Sequence, residues 1–272
     1  KVAEKFGCEV DLKRVDLQVV RSYKIRGASD WIQSLNEEER LRGVVCASAG
    51  NHAQGVAFSC KLLHIKGVIY MPAITPKQKI TQVKMFGGDW IEVVLIGDTF
   101  DDCQAHALEF AEQKNCVFIP PFNHVKVMEG QGTVGKEILE EQSNIDFVFV
   151  PVGGGGLSAG LGSYFQTYSP QTKIIGVEPQ GAPSMKEALK AGKPVMLESI
   201  QRFVDGASVK KVGDLTFDIC KDVLAHMLLV PEGKVCSTIL QLYNEEAIVV
   251  EPAGALTVAA LDQIKEEIKG KD

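Results

Sequence analysis

The 272-residue chain lacks the features that mark several large classes of protein. It has no apolar run of about 18 residues, the length that a transmembrane helix needs. Its formal net charge is −6, so nothing indicates a surface for nucleic acid or for an anionic membrane. The 7 cysteines are an odd number without a C-x-x-C pair, which argues against a disulfide framework and against a zinc site. We therefore expect no nucleic-acid partner, no membrane and no metal, and cysteines that are small buried residues in a reducing compartment.

No signal peptide is visible, and the chain begins with Lys1 rather than Met. Because Lys1 lies inside a segment with helical periodicity, we expect a chain that is trimmed at both ends. Hydrophobic residues make up 45% and charged residues 24%, which are ordinary values for a globular protein. The small acidic excess is typical of a cytoplasmic enzyme, and we expect that location.

Short apolar runs alternate with helical periodicity, which predicts an α/β fold of two domains with mostly parallel sheets flanked by helices. Strands are predicted at 43–46, 66–70, 91–95, 116–119, 147–152, 173–178 and 227–230. Helices are predicted at 51–63, 76–86, 99–114, 132–141, 157–168, 182–191, 214–224, 233–244 and 252–269. Pro120-Pro121 marks a boundary, so we predict a small α/β domain at 42–120 and a discontinuous large domain at 1–41 and 121–272.

Four consecutive glycines, Gly153 to Gly156, follow a strong strand and open a helix. Glycines leave backbone N–H groups uncovered at the positive end of the helix dipole, which is a site for phosphate. The same run fits a dinucleotide fingerprint, Gly154-x-Gly156-x-x-Ala159, with Glu178 where a ribose-binding acid would stand. The run predicts a phosphate site, and from these residues alone an NAD-dependent oxidoreductase stays an alternative.

The segment 22–28, SYKIRGA, places Lys24 at the start of a packed helix. An amine that loses solvation against an apolar helix start is easier to deprotonate and is a better nucleophile for a carbonyl group. A solvated surface lysine is the alternative, since most lysines are exposed.

The segment 48–55, SAGNHAQG, again joins a strand to a helix N-terminus. Ser48 or Asn51 is predicted to cap that helix, whose N–H groups suit a carboxylate. His52 has two interpretations, a general base or a packed and hydrogen-bonded residue, and the second is favoured.

Five segments occur in one order along the chain, namely SYKIRGA at 22–28, SAGNHAQG at 48–55, GQG at 130–132, PVGGGGL at 151–157 and EPAGAL at 251–256. Together they resemble the threonine dehydratases (threonine ammonia-lyases) of the fold type II pyridoxal-phosphate enzymes. The resemblance covers nearly the whole chain. It implies pyridoxal 5′-phosphate as the cofactor, bound in a cleft between two domains, and it favours that cofactor over NAD.

The resemblance also implies roles for individual residues. Lys24 would be the catalytic residue that forms a Schiff base with the cofactor and later moves the α-proton of the substrate. The residues that would bind the cofactor are Tyr23, Lys24, Asn51, Gly153, Gly154, Gly155, Gly156, Leu157, Gly206 and Glu251. The residues that would bind the substrate carboxylate are Ser48, Ala49, Gly50, Asn51 and His52.

The implied activity is the dehydration and deamination of L-threonine, and more slowly of L-serine, to 2-oxobutanoate or pyruvate and ammonia. Such a reaction belongs to amino-acid metabolism, as in isoleucine biosynthesis. A serine dehydratase or serine racemase of the same family is the alternative enzyme. A cofactor-free binding protein is the alternative without catalytic activity. The expected partners are a small amino-acid substrate and further copies of the chain, in a homodimer or homotetramer.

The chain departs from the family pattern at a few positions. Val15 stands where the family has the acid of Lys-Arg-Glu-Asp, and Ala49 stands where related serine racemases carry a serine. Ser184 stands where some relatives have an Asp that binds a divalent cation together with the residue at Glu178, so no high-affinity metal site is expected. The chain ends at Asp272, before the family's serine loop that contacts the pyridine nitrogen.

Overall fold

The computed structural model describes residues 2–271, in which helices alternate with parallel strands as predicted. The strands are β1 (Val44–Ala47), β2 (Gly67–Met71), β3 (Ile91–Leu95), β4 (Val117–Phe118), β5 (Phe147–Pro151), β6 (Lys173–Pro179) and β7 (Leu224–Val230). The α-helices are α1 (Val2–Phe6), α2 (Lys24–Ser34), α3 (Glu37–Arg42), α4 (Asn51–Leu63), α5 (Lys77–Gly87), α6 (Phe100–Lys114), α7 (Val125–Glu141), α8 (Gly156–Tyr168), α9 (Ser184–Ala191), α10 (Asp214–Val223), α11 (Glu232–Glu246), α12 (Pro252–Ala260) and α13 (Lys265–Ile268). Short 3-10 helices lie at Val15–Leu17, Val19–Arg21, Gly88–Trp90, Asp205–Ala207 and Leu261–Ile264.

The chain divides into two compact units, Val15–Gln131 and the combination of Lys1–Arg14 with Gly132–Asp272. The first unit is wider than the small domain predicted at 42–120. The reason is that Ile32 of α2 shares a hydrophobic core with Val56 of α4, which joins the residues before the sheet to it. The predicted boundary at Pro120-Pro121 lies inside this unit, and the finer domain division stays a prediction.

The unit Val15–Gln131 is built on a parallel four-stranded sheet in the order β3-β2-β1-β4. Alternate residues of β1 point to opposite faces. Val44 and Cys46 join the core beneath α2 and α4, whereas Val45 and Ala47 join the core beneath α6. Because both faces are covered, the strand reads as one apolar run, as is usual for parallel sheets.

The other unit is built on a parallel three-stranded sheet in the order β5-β6-β7. The central strand β6 is buried from Ile174 to Pro179. The helix α12 packs against this sheet with small side chains, among them Ala255, Ala259 and Ala260. A second cluster places Phe6 of α1 against residues that follow α12.

Two of the predicted helices differ from the structure by more than one turn, and the helix α3 was not predicted. The helix predicted at 132–141 begins at Val125 instead. The prediction started too late because Gly130 and Gly132 have low helix propensity. Both glycines are nevertheless accommodated in the helix, since another backbone approaches each of them closely. The single helix predicted at 252–269 is broken after Ala260 by a 3-10 turn. That turn lets Leu261 and Ile268 pack together around Phe6.

All 7 cysteines lie within the described residues, and none of them forms a disulfide. Burial raises the pKa of Cys60 and that of Cys220 to about 12, so these thiols are inert at neutral pH. The expectation of small buried residues is wrong for Cys236, which is exposed.

Within residues 2–271, no helix combines the length and the apolar character that a membrane crossing requires.

Candidate active site

Lys24 is the first residue of α2, and its amine has a fixed partner. The Nζ atom donates a hydrogen bond to the backbone oxygen of Pro121 at 3.0 Å and lies 5.6 Å from the centroid of the Tyr23 ring. The Lys24 backbone N–H donates to the hydroxyl of buried Ser22 at 3.3 Å. Lys24 is thus half-buried and held in place, which differs from a solvated surface lysine.

Gly27, the glycine of the segment 22–28, allows α2 and α7 to approach each other closely. A Cβ atom on Gly27 would lie 2.6 Å from the backbone oxygen of Val127, and one on Gly130 would lie 2.6 Å from the backbone oxygen of Arg26. Real Cβ atoms do not approach backbone atoms so closely, so glycine is required on both sides. The helix that carries Lys24 is therefore pressed against the first turns of α7.

The loop from Ser48 to Gly50 leads from β1 into α4. Gly50 is the N-cap residue of α4 and makes no side-chain capping bond, while the Ser48 hydroxyl accepts a hydrogen bond from the Gly50 N–H at 3.2 Å. The prediction that Ser48 or Asn51 caps the helix is therefore wrong: Ser48 closes the turn, and Asn51 is the first helical residue. Ala49 is half-buried between them. The N-terminus of α4 keeps the positive dipole end that suits a carboxylate.

His52 is buried and its Nε2 lies 2.9 Å from the backbone oxygen of Ile119, to which it donates. Burial lowers the pKa of His52 to about 3, and the positive charge of Lys24 acts in the same direction. The imidazole is therefore neutral at pH 7, and His52 is the packed, hydrogen-bonded residue that the sequence favoured. Ile119 and Pro121 are two residues apart, so one short segment accepts hydrogen bonds from both His52 and Lys24.

We expect His52 to give the unfolding free energy a recognisable pH dependence. Its pKa is about 3 in the folded protein against 6.5 for an unperturbed histidine, so between these values the unfolded chain binds the extra proton. The unfolding free energy should therefore rise with pH across this window, by at most about 1.4 kcal/mol per pH unit, and this stability is lost as the pH falls. The variant His52→Asn should show a flatter profile in urea titrations. His106→Asn, at an exposed helical histidine, is the control, and an unaltered slope in His52→Asn would contradict the assignment.

The glycine run connects β5 to α8, with Gly155 as the N-cap in the left-handed region at φ +93°. The carbonyl oxygen of Gly154 accepts from the Thr216 hydroxyl at 2.6 Å, and that of Gly155 accepts from the Ser158 hydroxyl at 3.1 Å. In a trans peptide the N–H points opposite to the carbonyl. The N–H groups of Gly155 and Gly156 are thus turned away from Thr216 and Ser158, at the start of a 13-residue helix. This arrangement, called the anion cradle below, is one that suits an anion.

The structure brings Gly206 and Glu251 next to the glycine run. A Cβ atom on Gly153 would lie 3.1 Å from the Cα atom of Ala207, and one on Gly206 would lie 3.6 Å from Oε1 of Glu251. Glu251 is also the residue that precedes α12, at its N-cap position. Predicted cofactor residues from three separate segments therefore meet in one place.

Glu178 does not face a ligand in this arrangement. Its two carboxylate oxygens accept hydrogen bonds from the backbone N–H groups of Met185 at 2.6 Å and Lys186 at 3.0 Å. Burial raises the pKa of Glu178 to about 8, although these two hydrogen bonds oppose the rise. Ser184 donates its hydroxyl to the backbone oxygen of Val209. The dinucleotide alternative required Glu178 to reach a ribose, and this carboxyl group is instead used to hold the start of α9.

Thr216 and the Pro121 carbonyl contact candidate site residues, and the sequence did not indicate either of them. Thr216 lies in α10, outside every motif, and its partner is a backbone oxygen. Pro121 was interpreted only as a domain boundary. A backbone carbonyl has no side-chain signature, so no sequence pattern could have revealed its role.

We expect Thr216→Val to loosen the glycine run. The Gly154 oxygen would keep only the longer bond from the Gly213 N–H at 3.3 Å. The loss of a buried hydrogen bond should lower the unfolding free energy by about 1 to 2 kcal/mol and weaken anion binding. Thr216→Ser keeps the hydroxyl and is the control. Equal losses in both variants, measured by urea unfolding and by titration with pyridoxamine 5′-phosphate, would contradict this prediction, because the hydroxyl would then matter no more than the methyl group.

The predicted site residues form two groups, one in each of the two compact units. Tyr23, Lys24 and residues 48–52 gather in the unit Val15–Gln131. Residues 153–157 gather with Gly206 and Glu251 in the other unit. The first group has a lysine amine and a helix N-terminus, and the second group has backbone N–H groups arranged to suit an anion.

The sequence has well-defined relatives among curated proteins. A protein named L-threonine dehydratase biosynthetic IlvA from Halalkalibacterium halodurans is 57% identical over 271 residues, which cover 99% of this chain and 65% of that protein. The protein of the same name from Bacillus subtilis is 55% identical over 273 residues, which cover 100% of this chain and 65% of that protein. The chain thus spans 65% of the length of each of these relatives, which is slightly less than two thirds.

Solved structures share the fold. The processed form of threonine deaminase isoform 2 from Solanum lycopersicum is 42% identical with a TM-score of 0.95, covering 100% of this chain and 79% of that one. A serine racemase from Dictyostelium discoideum is 31% identical with a TM-score of 0.90, covering 99% of this chain and 86% of that one.

The family described as pyridoxal-phosphate dependent enzyme matches residues 1–272. This match and the related structures confirm the predicted fold type and cofactor class. The chain belongs to the pyridoxal-phosphate-dependent enzyme family.

Proposed function

We propose that this protein is a threonine dehydratase, which removes water and then ammonia from L-threonine to leave 2-oxobutanoate, and which acts more slowly on L-serine. The observation that carries the proposal is the half-buried amine of Lys24, held by the Pro121 carbonyl at the start of a packed helix. Identity of 57% to a protein named for this activity supports the choice of substrate.

The residues present fit pyridoxal 5′-phosphate. A phosphate dianion needs several N–H donors, and the glycine run turns its N–H groups outward at the N-terminus of α8. The aldehyde group of the cofactor would need an amine for covalent attachment, and Lys24 would supply it. When bound, the cofactor supplies an electron sink for the carbanion at the substrate α-carbon. The residues that would hold it are Tyr23, Lys24, Asn51, Gly153, Gly154, Gly155, Gly156, Leu157, Gly206 and Glu251.

The chain's own residues divide the remaining work. Backbone N–H groups of residues 48–52 would orient the substrate carboxylate at the start of α4. With a pKa near 3, His52 is too weak a base to take the α-proton at neutral pH. Lys24 is therefore assigned both covalent attachment of the cofactor and movement of that proton.

The direct experiment is an assay of the purified chain with the cofactor and each amino acid. We expect 2-oxobutanoate from L-threonine, and pyruvate from L-serine at a lower rate. A protein that binds the cofactor yet forms neither 2-oxo acid would contradict the proposal.

Serine racemase is the second candidate, because a serine racemase is among the related structures at 31% identity. Ala49 has no group that could return a proton to the opposite face of the cofactor. We therefore expect D-serine formation to be slow relative to pyruvate formation, and Ala49→Ser to raise it; Ala57→Ser, buried in the middle of α4, is the control. Chiral chromatography measures the products. Appreciable D-serine from the unaltered chain would overturn this assignment.

We also propose that the protein acts in the cytoplasm as a homodimer or homotetramer. Leu240 and Tyr243 of α11 are exposed large side chains of the kind that a subunit contact covers. Sedimentation velocity would test the assembly, and a monomer at micromolar concentration would contradict it.

A further inference from the structure

Trp31 and His124 form a ring stack beside the segment that accepts the Lys24 hydrogen bond. Their ring centroids are 3.2 Å apart and the ring planes are inclined by 14°. Trp31 lies on α2, two turns after Lys24, and His124 follows Pro121 by three residues. The stack therefore joins the helix that carries the lysine to the segment that carries its partner.

Three contacts tie this segment and the start of α7 to one face of α2. They involve Lys24, Gly27 and Trp31, which are spaced as residues i, i+3 and i+7 and so share a helix face. The first contact is the hydrogen bond to Pro121, the second is the close backbone approach at Gly27, and the third is the ring stack with His124.

His124 is also bound to its own segment. Its Nδ1 accepts a hydrogen bond from the Lys126 N–H at 3.2 Å, and its backbone oxygen accepts from the Met128 N–H at 3.0 Å. Burial lowers the pKa of His124; the negative charge of Glu129 opposes this shift and the positive charge of Lys126 adds to it. A neutral ring with an unprotonated Nδ1 agrees with the observed bond, so the stack is between two uncharged rings.

We propose that Trp31 and His124 are positioning residues that act on Lys24 through the Pro121 carbonyl. Lysine has a flexible four-carbon stem that samples many rotamers, and one carbonyl on a mobile loop would not fix it. The stack removes that mobility by fastening the segment 121–124 to α2. This inference rests on the proposed role of Lys24.

The step that benefits is the reaction of Lys24 with the aldehyde of the cofactor. The amine nitrogen adds to the aldehyde carbon, a carbon–nitrogen double bond forms, and the aldehyde oxygen leaves as water with the two amine protons. An amine that is already oriented reacts faster than one that samples several rotamers. Loss of the stack should therefore slow this step without changing the affinity of the glycine run for phosphate.

The experiment separates the ring from the hydrogen bond that His124 also makes. His124→Asn keeps an acceptor for the Lys126 N–H but removes the ring, whereas His124→Phe keeps a ring and removes the acceptor. Trp31→Leu and Trp31→Phe make the same comparison on α2, with Leu filling part of the core beside Ile32. Two quantities are measured, the rate at which pyridoxal 5′-phosphate gives the visible absorbance of a lysine-bound cofactor, and the affinity for pyridoxamine 5′-phosphate, which has no aldehyde.

We expect His124→Asn and Trp31→Leu to react about tenfold more slowly, since a misplacement of about 1 Å can cost ~100-fold. The two Phe variants should react within about twofold of the unaltered chain, and all four should bind pyridoxamine 5′-phosphate normally. An unaltered rate in His124→Asn and Trp31→Leu overturns the proposal. So does a parallel loss of rate and of pyridoxamine 5′-phosphate affinity, which indicates general damage. Lys24→Ala tests the proposed function separately, because visible absorbance in that variant would exclude Lys24 whatever the stack does.

Discussion

Lys24→Ala should abolish both the visible absorbance of the bound cofactor and the formation of 2-oxobutanoate. The amine of Lys24 is both the proposed attachment point of the cofactor and the proposed base, and an alanine supplies neither. The rate should fall by about 1000-fold or more, as is usual when a covalent catalytic group is removed. Absorbance spectra and a coupled assay for 2-oxo acids measure the two effects.

The controls for this variant keep either the charge or the place in a helix. Lys24→Arg retains the positive charge but not a reactive amine, so it should be as inactive as Lys24→Ala. Lys77 is likewise the first residue of an α-helix but is exposed, and Lys77→Ala should leave both measurements unaltered. Threonine deamination by Lys24→Ala near the native rate would refute the assignment.

Gly155→Ala should destabilise the protein and remove the anion cradle together. Gly155 has φ +93°, which side chains rarely adopt, and a Cβ atom there would lie 2.9 Å from Cε of Met185 and from Cβ of Thr216. Backbone strain and crowding should lower the unfolding free energy by roughly 2 to 5 kcal/mol. The peptide groups that present the Gly155 and Gly156 N–H groups would rotate, so cofactor affinity should fall by about 100-fold, as expected for a lost charged hydrogen-bond set.

The variant Gly192→Ala is the control that separates the effect of backbone strain from the effect of a position in the glycine run. Gly192 ends α9 with φ +70°, and a Cβ atom there would meet nothing within 4 Å. Gly192→Ala should therefore cost about 1 kcal/mol of stability and leave cofactor affinity intact. If Gly192→Ala weakens cofactor binding as much as Gly155→Ala, the effect comes from global stability and the cradle assignment is wrong.

The site residues fall into two classes according to how far the sequence could predict them. Lys24 and the glycine run are candidates from the sequence alone because their residue types have a chemistry of their own, a nucleophilic amine and uncovered backbone N–H groups. The carbonyl of Pro121, the hydroxyl of Thr216 and the stack of His124 are not. Each contacts a partner that is distant in the chain, and in two of the three pairs one of the contacting groups is a backbone oxygen.

The sequence by itself determined the alternation of strands and helices, since apolar periodicity depends only on neighbouring residues. The strand at Ile91–Leu95 and the helix at Asn51–Leu63 have the predicted ends. Helix ends that depend on remote packing were missed, as at Val125, where Gly130 is tolerated because α2 lies against it. The start at Glu37 was also missed, although the capping box of Asn36 and Glu39 is a local signal.

Tertiary structure alone decided which groups meet. The amino-acid sequence shows that an amine, a histidine and a glycine run are present, but it does not show which groups form hydrogen bonds with them. The fold directs the Lys24 amine to one carbonyl, sets the neutral state of His52 by burying it, and turns the Gly154 carbonyl toward Thr216. These outcomes depend on distances between segments far apart in the chain, and such distances exist only after the sheets and helices have packed.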